Sequence, residues 1–382
     1  MTKTSRFASI ESFRVVAMFI VICLHANLFG RLHVEAGSYG FPIDFPLYLL
    51  FWFAVPYFFL VSGYFYGKKL QAGHESISLC RRSCMPLLWL YLIWSAIYAV
   101  IPRYWLRKVT DQSFWQSLLS QDWPTVIGEH LRAVLMPWPP YYHLWFLPAL
   151  MLGLLAVTFA NFKRSEKHAM PLLAALYACM VAAELFFPRE GVEFHPARSA
   201  TLAVFFTTLG WWVSYQRQLS VSLALTLLLG GATLAVTEGI VLKLLFRLPT
   251  IQIHWYPYAG AALSVLGLFI LLLSRPAWGQ GTRLAALGQY TLGVYLCHIF
   301  IEHTLAPIHD KLPHLSAVWY VPYVVAVYTL SLLLTWLCIR IPWCRTFVIR
   351  NEAFPRGVSD DDRLLPKHSG PLNHFGAASR NH

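Results

Sequence analysis

Hydrophobic residues in this chain neither alternate with polar ones nor mark a single helical face. They come in long blocks separated by short charged segments. Ten blocks, near 11–30, 45–66, 84–101, 143–162, 169–187, 199–215, 219–241, 256–273, 284–306 and 317–339, match the length needed to cross a bilayer. A crossing takes roughly 17–25 helical residues. The pattern therefore predicts an all-α, polytopic membrane helical bundle of about ten transmembrane helices. The seventh block is the least regular, being interrupted by Gly230, Gly231 and Glu238. The first resembles a signal peptide, but Arg14 lies inside it and no small-residue cleavage site follows, so it is expected to be retained.

Composition supports this reading. Of 382 residues, 57% are hydrophobic and 13% charged, whereas a soluble domain carries about 25% charged residues. Disorder, a coiled coil and an ordinary soluble enzyme are excluded. Lys and Arg total 30 against 18 for Asp and Glu, a net charge of +12. With ten crossings and the N-terminus in the cytoplasm, the inner segments hold two Lys or Arg for every one outside. The basic excess is thus a topology signal that sets both termini inside, and no nucleic-acid partner is expected. The bundle domain should cover 1–340, and 341–382 should form a polar, disordered cytoplasmic tail. The outer loop 102–142, with Trp105, Trp115, Trp123 and Trp138, has the makeup of a segment lying in the membrane interface. The seven cysteines show neither a disulfide framework nor zinc spacing, and no metal is expected.

Polar side chains inside the crossings are costly in lipid and point to function. Arg14 and His25 are eleven residues apart, about three helical turns plus 20°, so they share one face about 16 Å apart along the axis. That would draw one polar line from the inner to the outer side. The bland alternative is that Arg14 snorkels to headgroups while His25 bonds a neighbouring helix. Ser62 and Gly63 end the second block, followed by Lys68 and Lys69, with Arg81 and Arg82 before the third. The four cations suit a polyanion such as a nucleotide phosphate, although Ser-Gly is also ordinary helix-packing material. Tyr142, His143 and Trp145 open the fourth block, where an interfacial anchor explains the aromatics better than the histidine. In the ninth, His298 and Glu302 are one turn apart and able to form a carboxylate–imidazole pair, with a structural bond between helices as the alternative. Glu184 and Glu238 have no role that the sequence assigns.

Taken together, these clusters resemble the acyltransferase 3 family of integral membrane O-acyltransferases. Arg14 with His25, Phe58-Phe59-Leu60-Val61-Ser62-Gly63-Tyr64, and Leu287 through His298 are similar to its segments, with Thr291 where serine is usual. Tyr142 through Phe146 is similar to the branch containing the O-acetyltransferase of enterobacterial common antigen. The resemblance covers about 8–340. It implies transfer of an acetyl group from cytoplasmic acetyl-CoA, a co-substrate, to a hydroxyl of a cell-surface or lipid-linked glycan. It also implies a multi-pass protein of the inner membrane and essential roles for Arg14 and His25. Many members append an extracytoplasmic hydrolase-like domain after the last crossing. None follows here, so the acceptor is expected to be handled within the bundle.

On that reading Arg14, Ser62, Gly63, Lys68, Lys69, Arg81 and Arg82 serve the CoA phosphates. His25, His298 and Glu302 serve the chemistry. His143, Trp145 and Tyr142 meet the acceptor, with Trp138 and Trp255 as further stacking faces. A thioester is already activated, so the site must supply a base, orientation and oxyanion stabilisation. His25 is assigned as the base, Arg14 as a phosphate holder or organiser of the passage. A two-step version, with an imidazole as acyl carrier, is equally compatible with the sequence. The competing class is a secondary transporter or glycan flippase, for which buried charges and central glycines are just as natural.

Overall fold

The computed structural model describes residues 7–26, 35–36, 41–42, 52–100, 142–162, 166–186, 196–216, 219–246, 258–309, 317–342 and 344–348, with a few isolated positions in 116–128. Each of the ten apolar blocks contains a helix among its described residues. In chain order these are α1 (Ala8–His25), α2 (Ala54–Gln71), α3 (Ser76–Val100), α4 (Phe146–Phe162), α5 (Glu166–Phe186), α6 (Pro196–Tyr215), α7 (Val221–Leu244), α8 (Ala259–Ser274), α9 (Thr291–His309) and α10 (Ala317–Arg340). A 3₁₀ turn, Tyr142–Trp145, leads into α4, and a short helix, Arg283–Leu287, with a second 3₁₀ turn leads into α9. The strands among the described residues are two dipeptides, Glu35–Ala36 and Phe41–Pro42, paired antiparallel.

Among the described residues five stretches are long and apolar enough to cross a membrane: Ala8–His25, His143–Phe162, Val221–Leu244, Arg283–Pro307 and Tyr320–Arg340. Their burial differs, and the difference orders the bundle. Two thirds of the Ala8–His25 window is buried (67%), against 22% for Val221–Leu244 and for Tyr320–Arg340. The first helix is a core element, and the seventh and tenth turn much of their apolar surface outward, as helices facing lipid do.

The core gathers around α1, α2, α4, α6 and α9. Tyr57 of α2 donates its hydroxyl to the carbonyl of Ile10 at 3.0 Å and packs edge-on against Phe13. Between α2 and α6 the backbones nearly touch. A Cβ on Gly63 would lie 1.8 Å from the Thr207 carbonyl oxygen, so only glycine allows this crossing. Gly231 does the same for α7 against α8, where a Cβ would sit 2.5 Å from the Ser264 nitrogen. The glycine that makes the seventh block look weak is thus a packing device, and α7 continues through it. Glu238 has a structural task as well. Its carboxylate accepts from the Gly260 N–H at 2.9 Å, satisfying an orphan donor in the first turn of α8.

One boundary moves. The tail expected from 341 onward begins with ordered structure, because Arg345–Val348 is a helical turn. Val348 is buried, and the Trp94 indole N–H donates to the Phe347 carbonyl at 2.8 Å. The tail from 349 and nearly all of loop 102–142, including Trp105, Trp115, Trp123 and Trp138, lie outside the described residues, as does Trp255.

Candidate active site

Helix α1 presents Arg14, Met18, Val21 and His25 at spacings of four, three and four, one continuous stripe. At its lower end Arg14 is 3% exposed, and its Nη1 meets the Glu11 carboxylate at 2.8 Å, one turn back on the same helix. Gly288 comes so close that a Cβ there would lie 2.5 Å from that carboxylate. The guanidinium therefore does not snorkel to headgroups. It is half of an internal ion pair between α1 and the turn before α9.

At the upper end three imidazoles from three helices meet. The His25 and His298 ring centroids are 5.1 Å apart, and those of His143 and His298 are 5.3 Å apart. His143 and His298 are 1% and 0% exposed. Glu11 near Gly288 at one end, and His25 beside His298 at the other, mean that α1 and α9 run parallel. His143 enters α4 at the level where α1 ends, so α4 runs the opposite way. Tyr98, near the end of α3, packs edge-on to His143 at 5.0 Å and donates its hydroxyl to the Leu296 carbonyl at 2.8 Å.

Tyr295 locks this cluster. Its hydroxyl donates to the His143 carbonyl, and its own carbonyl accepts from His298 Nδ1 at 2.6 Å. A carbonyl can only accept, so Nδ1 carries the proton and Nε2 the lone pair. Nε2 of His298 has no hydrogen-bond partner among the described residues. His298 thus takes the backbone, not Glu302, and the carboxylate–imidazole pair of one turn is not formed. Glu302 is half-buried one turn further along, its carbonyl accepting from the Tyr323 hydroxyl at 3.1 Å. His303, only a neighbour in the sequence reading, is buried within electrostatic reach of His25, His143 and His298. Among the described residues no group of three His, Cys, Asp or Glu has the placement to hold a metal ion.

Beneath the imidazoles is a cavity of about 40 Å³. It is lined by His25 and His143, by Met18, Val21, Val55, Phe58, Phe146 and Leu292, and by Trp145, Thr291 and Tyr295. The polar line expected along α1 is therefore interrupted, since Met18 and Val21 separate the guanidinium from the imidazole with hydrocarbon. Trp145 lies beside Phe59 and Phe146, with ring centroids 6.1 and 6.5 Å away. Tyr142 lies in the 3₁₀ turn, and its side chain is outside the described residues.

The basic inner group is arranged differently from the sequence expectation. Ser62 donates to its own helix at the Phe58 carbonyl, 2.8 Å away, and Gly63 is in the α2–α6 seam. Gly63 belongs to helix packing, and the Ser62 hydroxyl is taken up by its own helix. Lys68 donates to the Ser214 carbonyl at 2.6 Å, satisfying the last turn of α6. Lys69 is half-buried at the end of α2, while Arg81 and Arg82 are exposed on α3. Sequence reasoning missed Glu11, although its spacing of three from Arg14 was a readable pairing signal. It also missed Tyr295, whose role depends on a contact with the distant residue 143.

Among characterised proteins the chain is similar to a serine/alanine racemase of Enterococcus gallinarum, 26% identical over 212 residues, which is 52% of this chain. The match spans 27% of the racemase, so the chain covers about a quarter of that relative. No solved structure matches the chain. The model of the acyltransferase 3 family, an acyltransferase domain, matches residues 7–339, nearly the whole described bundle, and the chain belongs to that family of membrane acyltransferases.

Proposed function

We propose that the protein is an O-acetyltransferase of the inner membrane, crossing it ten times with both termini in the cytoplasm. It would move acetyl from cytoplasmic acetyl-CoA to a hydroxyl of a cell-surface or lipid-linked glycan. One observation carries this reading: imidazoles of α1, α9 and the turn before α4 converge at one end of a cavity within an acyltransferase bundle. The Lys and Arg bias of the loops supports the orientation.

In the reaction His25, which lines the cavity, removes the acceptor hydroxyl proton as the oxygen attacks the thioester carbonyl. The carbon–sulfur bond breaks, and the departing thiolate takes the proton back from the imidazolium. His298, its lone pair held on Nε2 by the Tyr295 carbonyl, stands beside His25 and favours that transient cation. Arg14 is neutralised by Glu11, which favours its role as organiser of the inner end over that of phosphate holder. Arg81 and Arg82, exposed on α3, are cations placed to meet the CoA phosphates, with Lys69 at the end of α2 nearby in the chain.

Membranes containing the protein should transfer label from acetyl-CoA to a glycan acceptor, and His25→Ala should abolish transfer while the protein stays folded in the membrane. Mass spectrometry of surface glycans with and without the chain should show an acetyl-sized difference. Proton-coupled solute uptake without group transfer would replace the enzyme reading by a transporter.

A further inference from the structure

We infer that the cavity under the histidines is the seat of the donor's acyl chain, and that Met18, Phe58, Phe146 and Leu292 limit that chain to two or three carbons. The inference rests on the acyl-transfer reading and adds to it a subsite and a length limit. Apart from the imidazoles and the Trp145 ring, the walls present hydrocarbon. The hydroxyls of the two remaining polar lining residues are turned to backbone carbonyls, Thr291 to Gly288 at 2.9 Å and Tyr295 to His143.

A sugar ring needs several hydrogen-bond partners, and a phosphate or pantetheine amide costs free energy in such a wall. Of all the parts of an acyl-CoA and a glycan, only the acyl tail gains by entering it. The imidazole rim then lies where the thioester carbonyl must sit for attack.

Volume sets the length. An apolar cavity of about 150 Å³ holds a benzene molecule. At about 40 Å³ the space takes a methyl or ethyl group. Its walls are stiff: Phe58 and Phe146 pack edge-on at 6.2 Å, and Phe146 stacks on Phe59 at 4.7 Å. Met18, on the α1 stripe between Arg14 and His25, is 1% exposed and is the most pliable wall.

The test is an acyl-chain series, acetyl-, propionyl-, butyryl- and hexanoyl-CoA, given to the full-length protein in membranes with transfer to glycan measured. Wild type should handle acetyl and propionyl and lose at least about tenfold per further methylene, the discrimination a tight apolar pocket achieves. Met18→Ala and, separately, Phe58→Leu should raise the butyryl-to-acetyl ratio tenfold or more. Equal rates for acetyl and hexanoyl in wild type would overturn the inference without any variant. So would an unchanged ratio in whichever variants accumulate in the membrane. Absence of transfer from every acyl-CoA would instead overturn the acyl-transfer reading itself.

Discussion

The two ends of α1 carry the two polar residues that stand out in the sequence, and they solve opposite problems. At the lower end Arg14 finds its partner three residues away on its own helix, and the pair is sealed by the turn before α9. At the upper end His25 has its ring neighbours in α9 and, through His298, in the turn before α4. The first is a local solution to the cost of a buried charge. The second gathers proton-accepting nitrogens from distant parts of the chain, with a fixed tautomer in His298. A bundle needs the first merely to stand. The second adds nothing obvious to stability, since it buries Nε2 of His298 without a hydrogen-bond partner among the described residues. Unreturned cost of that kind is where chemistry is to be sought.

This contrast can be broken experimentally. The largest effect on turnover is expected at the upper end, where His25→Ala should reduce acetyl transfer by about 10²–10⁴-fold at an unchanged membrane level of protein. At the lower end the loss should appear first in stability. Removing the guanidinium alone, Arg14→Ala, leaves the Glu11 carboxylate buried and should cost about 3–5 kcal/mol. In detergent that would be a lowered melting temperature, and the double variant Glu11→Leu/Arg14→Met should recover most of it. Loss of activity at full stability in Arg14→Ala would instead make the guanidinium a substrate contact.

Smaller effects sharpen the picture. Gly63→Ala drives a methyl group into the Thr207 carbonyl and should destabilise by at least about 1–3 kcal/mol, with little change in the KM for acetyl-CoA in the protein that remains. A raised KM with intact stability would return Gly63 to donor binding. Tyr295→Phe removes the hydroxyl bond to the His143 carbonyl, worth about 0.5–1.5 kcal/mol. Transfer should fall about threefold to tenfold through kcat, since the Tyr295 carbonyl that sets the His298 tautomer is retained. Lys68→Met should have the smallest effect, a slight loss of stability from the unsatisfied Ser214 carbonyl.

The ten helices were legible in the chain because a hydrocarbon solvent imposes a single demand, an apolar run of sufficient length, and that demand is written residue by residue. The face shared by Arg14 and His25 was legible too, since helical periodicity is local. Helix burial was less so. The blocks at 11–30 and 219–241 look alike in composition, yet one is central and the other largely exposed, a distinction that depends on neighbours far away in sequence. The same holds for glycine: Gly231 reads as an interruption in one dimension and as a contact with α8 in three.

What the sequence determined by itself is the apolar solvent and the helices, together with a short roster of polar residues whose place inside apolar runs calls for a reason. Only the tertiary structure decided which of them meet: His25, His143 and His298 do, His298 turns to a backbone carbonyl and away from Glu302, Ser62 bonds its own helix, and Gly63 and Lys68 join α2 to α6. The reason is physical. The cost of a polar group in hydrocarbon depends on the residue and its depth, but its relief depends on a partner, and for the histidines the neighbours come from segments more than a hundred residues apart.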